Sequence, residues 1–543
     1  MRTIIVGGVA GGMSTATRLR RLDEFRRITV YERGAHVSFA NCGLPYHVGG
    51  VIAERSSLLL QTPESLAARF ALDVHVHAEV IGVDAAAQTV TVRDVRSGVE
   101  SIEHYDELVL ATGAGAEPGP SSGIIPTHTL RSVDDVDRVV DVLDQAGDTP
   151  RVVVVGAGFI GLEAVENLLQ RGVSVTLITR GDQVLSPLDA EMAAPILAEL
   201  RAAGADVRFG VTVTGACDGS VTLSDGGAVP ADLVIEASGV RPDRRLADTA
   251  GVRIGPTGGI AVDGRHRTSV PKVWAVGDGV EKIDLLDRHP TLVTMAGLAN
   301  RHGRAVADDI AGVEPDDAAP SLGTAILGIF GVTVGLVGWS ERRLVAAGRP
   351  HRIVHTHPAS HATYYPGAES MSMKLLIDPS TDRILGAQIV GGEGVDKRID
   401  VIAVAMAAGL TASALSRLEL AYAPQYGSAK DPVNMLGYVA ENTATGTTRT
   451  LQWHELAAVQ ARGTTVVDVR SPTEYAAGAI PGAVNIPLDE LRARHDELSS
   501  GPVVVHCQVG QRGHTAARIL DQLGHDVRNL DGGYRTWAAG TAA

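Results

Sequence analysis

The sequence predicts an α/β protein with two doubly wound parallel sheets, an α+β block and a small terminal α/β domain. Three observations predict it. A β-rich apolar run, a glycine turn and a helix-like stretch follow one another at 3–21 and again at 151–170. Each is followed by a further strand, 28–32 and 173–179, which completes the opening of a βαβ unit. A polar, threonine-rich stretch at 441–450 then sets off a last segment with strand and helix patterns of its own.

At roughly 100–200 residues per domain, a chain of 543 residues has room for three or four. With 45% hydrophobic and 20% charged residues it is composed like a folded globular protein. A net charge of −15 disfavours the phosphate backbone of nucleic acids as a partner. The N-terminus enters a strand directly, without the apolar run of a signal peptide. The stretch 322–339 carries no charge and is long enough for a membrane span, but five glycines interrupt it, so it reads as buried strands and no membrane partner is expected. Only three cysteines occur, Cys42, Cys217 and Cys507; so odd and sparse a set is no disulfide framework and points to a reducing cytoplasm.

The first turn reads Gly7-Gly8-Val9-Ala10-Gly11-Gly12. Glycines let a backbone approach a pyrophosphate, and the helix that follows turns its N–H groups and positive dipole end toward it. Val9 holds the place of the middle glycine. Glu32, with Arg33 beside it, ends the next strand, where a carboxylate can bond a ribose hydroxyl. Two later strands end in small-residue turns, at Ala111-Thr112-Gly113 and at Gly277-Asp278. Together the three segments resemble the FAD signatures of flavoproteins with two dinucleotide-binding domains, which implies that Asp278 bonds the ribityl chain.

The second turn is an intact fingerprint, Gly156-Ala157-Gly158-Phe159-Ile160-Gly161. A site for NADH wants an acid at the end of the following strand. Here the strand ends Thr179-Arg180, and the arginine suits a 2′-phosphate, so NADPH or dual use with NADH is expected.

Cys42 lies in Ser38-Phe39-Ala40-Asn41-Cys42-Gly43-Leu44-Pro45-Tyr46-His47. The glutathione-reductase type of enzyme has a second cysteine five positions on; here that position is His47, so the redox partner of Cys42 is external. A thiolate is favoured if the thiol sits at a helix N-terminus near a cationic or electron-poor ring. Cys217 lies among strands and turns with no helper residues and reads as a packing residue. The segment 38–50 resembles the single-cysteine motif of the coenzyme A disulfide reductases and their relatives, the NADH oxidases, NADH peroxidases and CoA-persulfide reductases. The oxidase and peroxidase branches carry a histidine in the first glycine turn, where this chain has Ala10. The resemblance implies CoA contacts from Ser38, Asn41, Arg18, Arg21, Asn300 and Lys430. It also implies a dimerisation domain, and a homodimer in which the partner subunit's Tyr364 and the partner subunit's Tyr422 approach Cys42.

The last 95 or so residues resemble a rhodanese domain, a span plausible for a small fold. The matching segments are 468–475, 478–483, 485–487 and 531–537. Cys507 opens the loop Cys507-Gln508-Val509-Gly510-Gln511-Arg512-Gly513, whose N–H groups would curl around the sulfur, with Arg512 adding positive charge.

The expected boundaries are 1–117 and 247–318 for the FAD domain, 118–246 for the NAD(P) domain, 319–440 for the dimerisation domain, 441–450 for the linker and 451–543 for the rhodanese domain. The expected activity is FAD-dependent reduction of CoA persulfide, polysulfide or CoA disulfide by NAD(P)H, with Cys507 carrying sulfane sulfur. Direct transfer from Cys507 to Cys42 would need the linker to swing. A water-forming NADH oxidase and a non-turnover redox or sulfane-sulfur sensor are the alternatives. Scattered cysteines without paired histidines leave no metal site to expect.

Overall fold

The computed structural model describes residues 1–116, 119, 125–147, 149–217, 219–314, 316–498 and 500–542. The expected boundary at 117 and 118 lies outside them. The chain divides into two compact units, one of residues 1–182 and 204–321, the other of 183–203 and 322–543.

The first unit holds both doubly wound sheets. In the first, Arg2–Val6 is flanked in parallel by Arg27–Tyr31 and Glu107–Leu110, with Asp73–His75 and Val273–Ala275 at the edges. These strands read as continuous apolar runs because both sheet faces are covered. Ile4 and Leu108 enter one core cluster, and Ile5 and Val109 enter the other. The second sheet repeats the plan around Arg151–Val155, between Ser174–Ile178 and Leu233–Glu236. In each, the middle strand ends at its glycine turn. Gly7 and Gly156 both have φ +106°, and a Cβ on either would collide with a backbone carbonyl, of Ala111 or Ala237.

The second unit is built on an antiparallel sheet in the order Ala325–Ile329, Val332–Gly338, Ile384–Gly391, Ser372–Ile377, Arg352–Thr356. The charge-free stretch thus forms a hairpin, as expected from its glycines, and no helix among the described residues is long and apolar enough to cross a membrane. A parallel five-stranded sheet follows: Thr450–Leu451, Val527–Leu530, Val503–His506, Thr465–Asp468 and Val484–Asn485. Helix Ala190–Ala202, although it belongs in sequence to the second nucleotide-binding half, packs in this unit against helix Gly533–Ala542.

Four expectations shift. Cys217, expected as a packing residue, is exposed at the end of strand Val213–Cys217, an edge of a small antiparallel sheet. The apolar helix expected at 400–414 spans Val395–Ala407. The one expected at 488–498 contracts to Leu491–Arg494 and a 3-10 turn at His495–Glu497. The stretch 441–450 is no free tether: helix Pro432–Ala444 takes its first four residues, Thr448 Oγ1 lies 2.6 Å from His514 Nδ1, and Thr450 already pairs with Asn529.

Candidate functional site

Helices Ala10–Leu22 and Phe159–Gln170 begin at the two glycine turns with no side-chain cap and no acid in the first turn. Other helices of this chain are capped by Thr62, Ser132, Asp431 or Ser471. An uncapped N-terminus leaves its first N–H groups for a phosphate. Gly8, Ala10, Gly11 and Gly12 line the first such end, Gly158 and Gly161 the second. Beside the first, Glu32 accepts from the N–H of Gly8 and of Gly34, both at 2.8 Å, which fixes its carboxylate at the mouth of the turn. Arg33 is exposed, 4.0 Å from Asp243. Thr112 Oγ1 donates to the Asp243 carbonyl at 2.7 Å, and Gly113 and Gly277 turn the ends of two neighbouring strands. Burial raises the Asp278 carboxyl, against the pull of Lys282 and Arg131. These groups fit a bound FAD: a small-residue cradle, free helix N–H groups and a ribose-facing carboxylate. In the second site Arg180 is exposed at the end of Ser174–Ile178, and no acid stands at Thr179.

Cys42 sits in the 3-10 turn Asn41–Gly43, immediately before the short helix Leu44–Val48. His47 is anchored by a 2.7 Å contact between Nδ1 and the Ile52 carbonyl, so it holds the loop rather than facing a second sulfur. The cationic neighbour that would favour a thiolate is not supplied by these side chains. Burial raises the Cys42 pKa, and the Glu163 and Asp278 carboxylates raise it further. Sequence reasoning missed Glu163. It lies on Phe159–Gln170, its Oε1 3.5 Å from Tyr46 Oη, and burial pushes its pKa up to about 7. Its position inside the fingerprint helix was the available signal.

Ser38 and Asn41 border the thiol; Ser38 N–H donates to the Gly8 carbonyl at 2.8 Å, which ties the cysteine segment to the first glycine turn. Asn300 on helix Ala296–Ile310 accepts from Ser14 Oγ at 2.7 Å, joining the two helices. Arg18 is already paired with Asp308 at 2.7 Å, whereas Arg21 is exposed with its guanidinium 5.9 Å from the Phe70 ring centre.

In the second unit, Tyr364 and Tyr422 come together, both exposed, with their hydroxyls 2.8 Å apart, and this bond raises the Tyr422 pKa. Arg398, another residue that sequence reasoning missed, explains the pairing. It is 2% exposed and donates to the Ser360 carbonyl at 2.9 Å, the Tyr426 carbonyl at 3.4 Å and Asp431 Oδ2 at 3.0 Å. One buried guanidinium thereby binds both tyrosine loops. Among the charged residues Asp396, Lys397, Arg398 and Asp400 at the start of this helix, no local pattern singles out Arg398. Lys430, on the second loop, is exposed.

Cys507 is fully buried at the end of Val503–His506, below helix Gln511–Gln522. Its carbonyl accepts from Tyr534 N–H at 2.8 Å, and that of Gln508 from Arg535 N–H at 3.0 Å. Gln508 is held from the other side by Arg470 at 2.9 Å, itself bonded to the fully buried Asp468. Arg512 faces Cys507 but is gripped by both oxygens of Glu474, at 2.8 and 2.6 Å, and that bond lowers Glu474 to about 2. The charge lent to the sulfur is therefore that of a neutralised pair.

The sequence matches the pyridine nucleotide-disulphide oxidoreductase family over residues 1–298, the dimerisation domain of that family over 324–431 and the rhodanese-like domain over 452–540. It is 36% identical to the coenzyme A disulfide reductase of Staphylococcus aureus strain JH9, across 81% of this chain and all of that one. Two solved structures match nearly its whole length. One is the reduced CoADR-RHD of Bacillus anthracis, with TM-score 0.97, 42% identity and coverage of 99% of this chain and 98% of that one. The other is a NAD-dependent persulfide reductase from A. fulgidus, with TM-score 0.92, 34% identity and coverage of 99% and 100%. With two uncapped nucleotide turns, a single thiol beside the first of them and an intact cysteine loop at its end, the chain belongs to the FAD- and NAD(P)-dependent pyridine nucleotide-disulphide oxidoreductases, in their coenzyme A disulfide reductase group with a rhodanese-like domain.

Proposed function

We propose that this protein is an NAD(P)H-dependent reductase of CoA persulfide, polysulfide or CoA disulfide, acting as a cytoplasmic homodimer, with Cys507 as its carrier of sulfane sulfur. The observation that carries the reading is the pairing of one unpartnered thiol, with His47 fixed where a second cysteine would stand, and a rhodanese-like loop that retains its cysteine. The residues around Gly7–Gly12, Glu32 and Asp278 would hold FAD, which when bound would supply two-electron redox chemistry between NAD(P)H and the sulfur at Cys42.

Cys42 attacks the substrate sulfur as a thiolate. From CoA persulfide it forms either Cys42–S–SH, releasing CoA thiolate, or Cys42–S–S–CoA, releasing hydrosulfide. Two electrons then split that bond, restoring the Cys42 thiolate and freeing the remaining sulfide or CoA thiolate. A CoA disulfide gives the same mixed disulfide and one CoA thiolate. Glu163, poised near neutrality, lets the charge beside Cys42 change over the working pH range. Ser38 and Asn41 border the pantetheine end, and Arg21, Asn300 and Lys430 are offered to the nucleotide end. Arg18, bonded to Asp308 through Nε, joins them through its terminal N–H groups. The phenols of the partner subunit's Tyr364 and the partner subunit's Tyr422 donate a proton to the departing thiolate. Arg180 favours NADPH.

The test is anaerobic NADPH oxidation with CoA persulfide, following sulfide release. Stoichiometric sulfide, lost in Cys42→Ser, is the expected result. Cys507→Ser should lose rate only when thiosulfate or polysulfide is the sulfur donor. Oxygen consumption without sulfide release would overturn the assignment.

A further inference from the structure

A buried charge cluster outside the nucleotide sites joins the antiparallel sheet to the rhodanese-like domain. Lys374, fully buried, is ringed by Glu191 at 2.5 Å, Glu341 at 2.6 Å and Asp189 at 2.9 Å. The three carboxylates are spaced as a cation site, and the ammonium fills it. Directly across the strands from Lys374 is His355. Its Nε2 lies 3.1 Å from Glu191 Oε1, and its Nδ1 lies 2.8 Å from Asp531 Oδ2. The same Asp531 oxygen accepts from the His355 backbone N–H at 2.9 Å and from Gln452 Nε2 at 3.2 Å.

Asp531 stands at the head of the segment that closes over Cys507. Gly532, next in the chain, lies so close to His355 that a Cβ there would come within 2.9 Å of the histidine Cβ. Gly533 has φ +66°, and a Cβ on it would strike the Cys507 carbonyl and the Gly510 N–H. Tyr534 and Arg535 supply the N–H groups bonded to the Cys507 and Gln508 carbonyls. An unbroken series of contacts thus runs from a strand of the dimerisation sheet to the backbone of the sulfur-carrying loop.

We propose that His355 is a positioning residue for that loop: by fixing Asp531 it sets the backbone at 532–535 that cradles Cys507, so sulfur loading and release depend on a residue outside the rhodanese-like domain. The proposal rests on the reading of Cys507 as the sulfane-sulfur carrier. The charged groups around His355 agree with it. Glu191 and Asp531 face the ring from two elements, Lys374 neutralises one side of Glu191, and His357 is kept neutral by burial and bonds Ser372 and Thr536. His355 is then the cation that balances Asp531, and its pKa, raised to about 9 by these bonds against the effect of burial, keeps it charged near neutrality.

The experiment compares the full-length holoenzyme with its His355→Gln, His355→Lys and Cys507→Ser variants. Sulfur transfer from thiosulfate to cyanide is read at several pH values, together with the alkylation rate of Cys507 followed on its own peptide. NADPH-dependent reduction of CoA disulfide is read in parallel. Cys507→Ser should abolish sulfur transfer; if it does not, the carrier reading fails, whatever His355 does. His355→Gln should lower kcat for transfer about tenfold or more, alter the pH profile of Cys507 alkylation and leave CoA disulfide reduction unchanged. Wild-type transfer and an unaltered alkylation profile in His355→Gln would overturn the proposal. If that variant loses both activities, His355→Lys decides: reduction restored while transfer stays slow supports positioning, and both restored together reduces His355 to a structural cation.

Discussion

At Cys42 the protein's own charges oppose a thiolate. The groups that raise its pKa after burial are Glu163 and Asp278, so ionisation relies on what the bound cofactor and substrate bring. A pH signature follows. Below about 7 Glu163 is neutral, and wild type and Glu163→Gln should alkylate alike at Cys42. Above that pH the wild-type carboxylate opposes the thiolate, and the glutamine variant should react several-fold faster. Equal rates at pH 8 would remove Glu163 from the thiol's surroundings. At the second nucleotide site, Arg180→Ala should raise KM for NADPH about tenfold while hardly changing that for NADH, the size expected for one charge-assisted bond of about 1.5 kcal/mol. The sequence singles out Cys42 by the segment 38–50 that follows Glu32, and Arg180 by its offset from the second glycine turn. Glu163 was not, because on a helix it reads as one more solvent-facing acid until Tyr46 and Cys42 are folded against it.

Among the elements, helix Val395–Ala407 shows what hydropathy hides. The sequence pointed to 400–414, but Gly409, at φ +71°, lies just past the helix end, and the charged residues 396–398 belong to its start. One of them, Arg398, is buried with Asp431 and holds the two tyrosine loops together. Arg398→Met should leave the buried Asp431 with only the more exposed Lys397, 3.8 Å away, as counter-charge and cost about 3 kcal/mol in a denaturant titration. Adding Asp431→Asn should recover part of that loss, since asparagine can still accept from Val433 N–H at the start of Pro432–Ala444 while the charge left to Lys397 alone is gone. If the double variant is no more stable than the single one, Arg398 acts through packing alone. The hairpin within 322–339 is the opposite case: its regular glycines made the strands readable although its hydropathy imitates a span.

Across the whole second unit, the order of its parts was readable and their docking was not. Asp189, Glu191, His355, Lys374 and Asp531 come from four separated segments, and no local pattern announces that they share one buried cluster. A swinging rhodanese-like domain would have to break it, and would bare charges whose partners contribute only when paired. The docked arrangement also has a pH dependence of definite sign. Burial works against the charge on His355, yet the bonds to Asp531 and Glu191 prevail and lift its pKa from 6.5 to about 9. The stabilisation from those bonds is therefore complete below pH 6.5 and is lost as the pH rises toward 9, about 3 kcal/mol at most. Thermal unfolding of the holoenzyme between pH 6.5 and 9 should show Tm falling for the transition that includes the rhodanese-like domain. In His355→Gln that part of the slope should vanish, with Tm already low at pH 6.5. A slope that survives the substitution would mean that other groups set it, and that the docking of the sulfur-carrying domain is not held by this histidine.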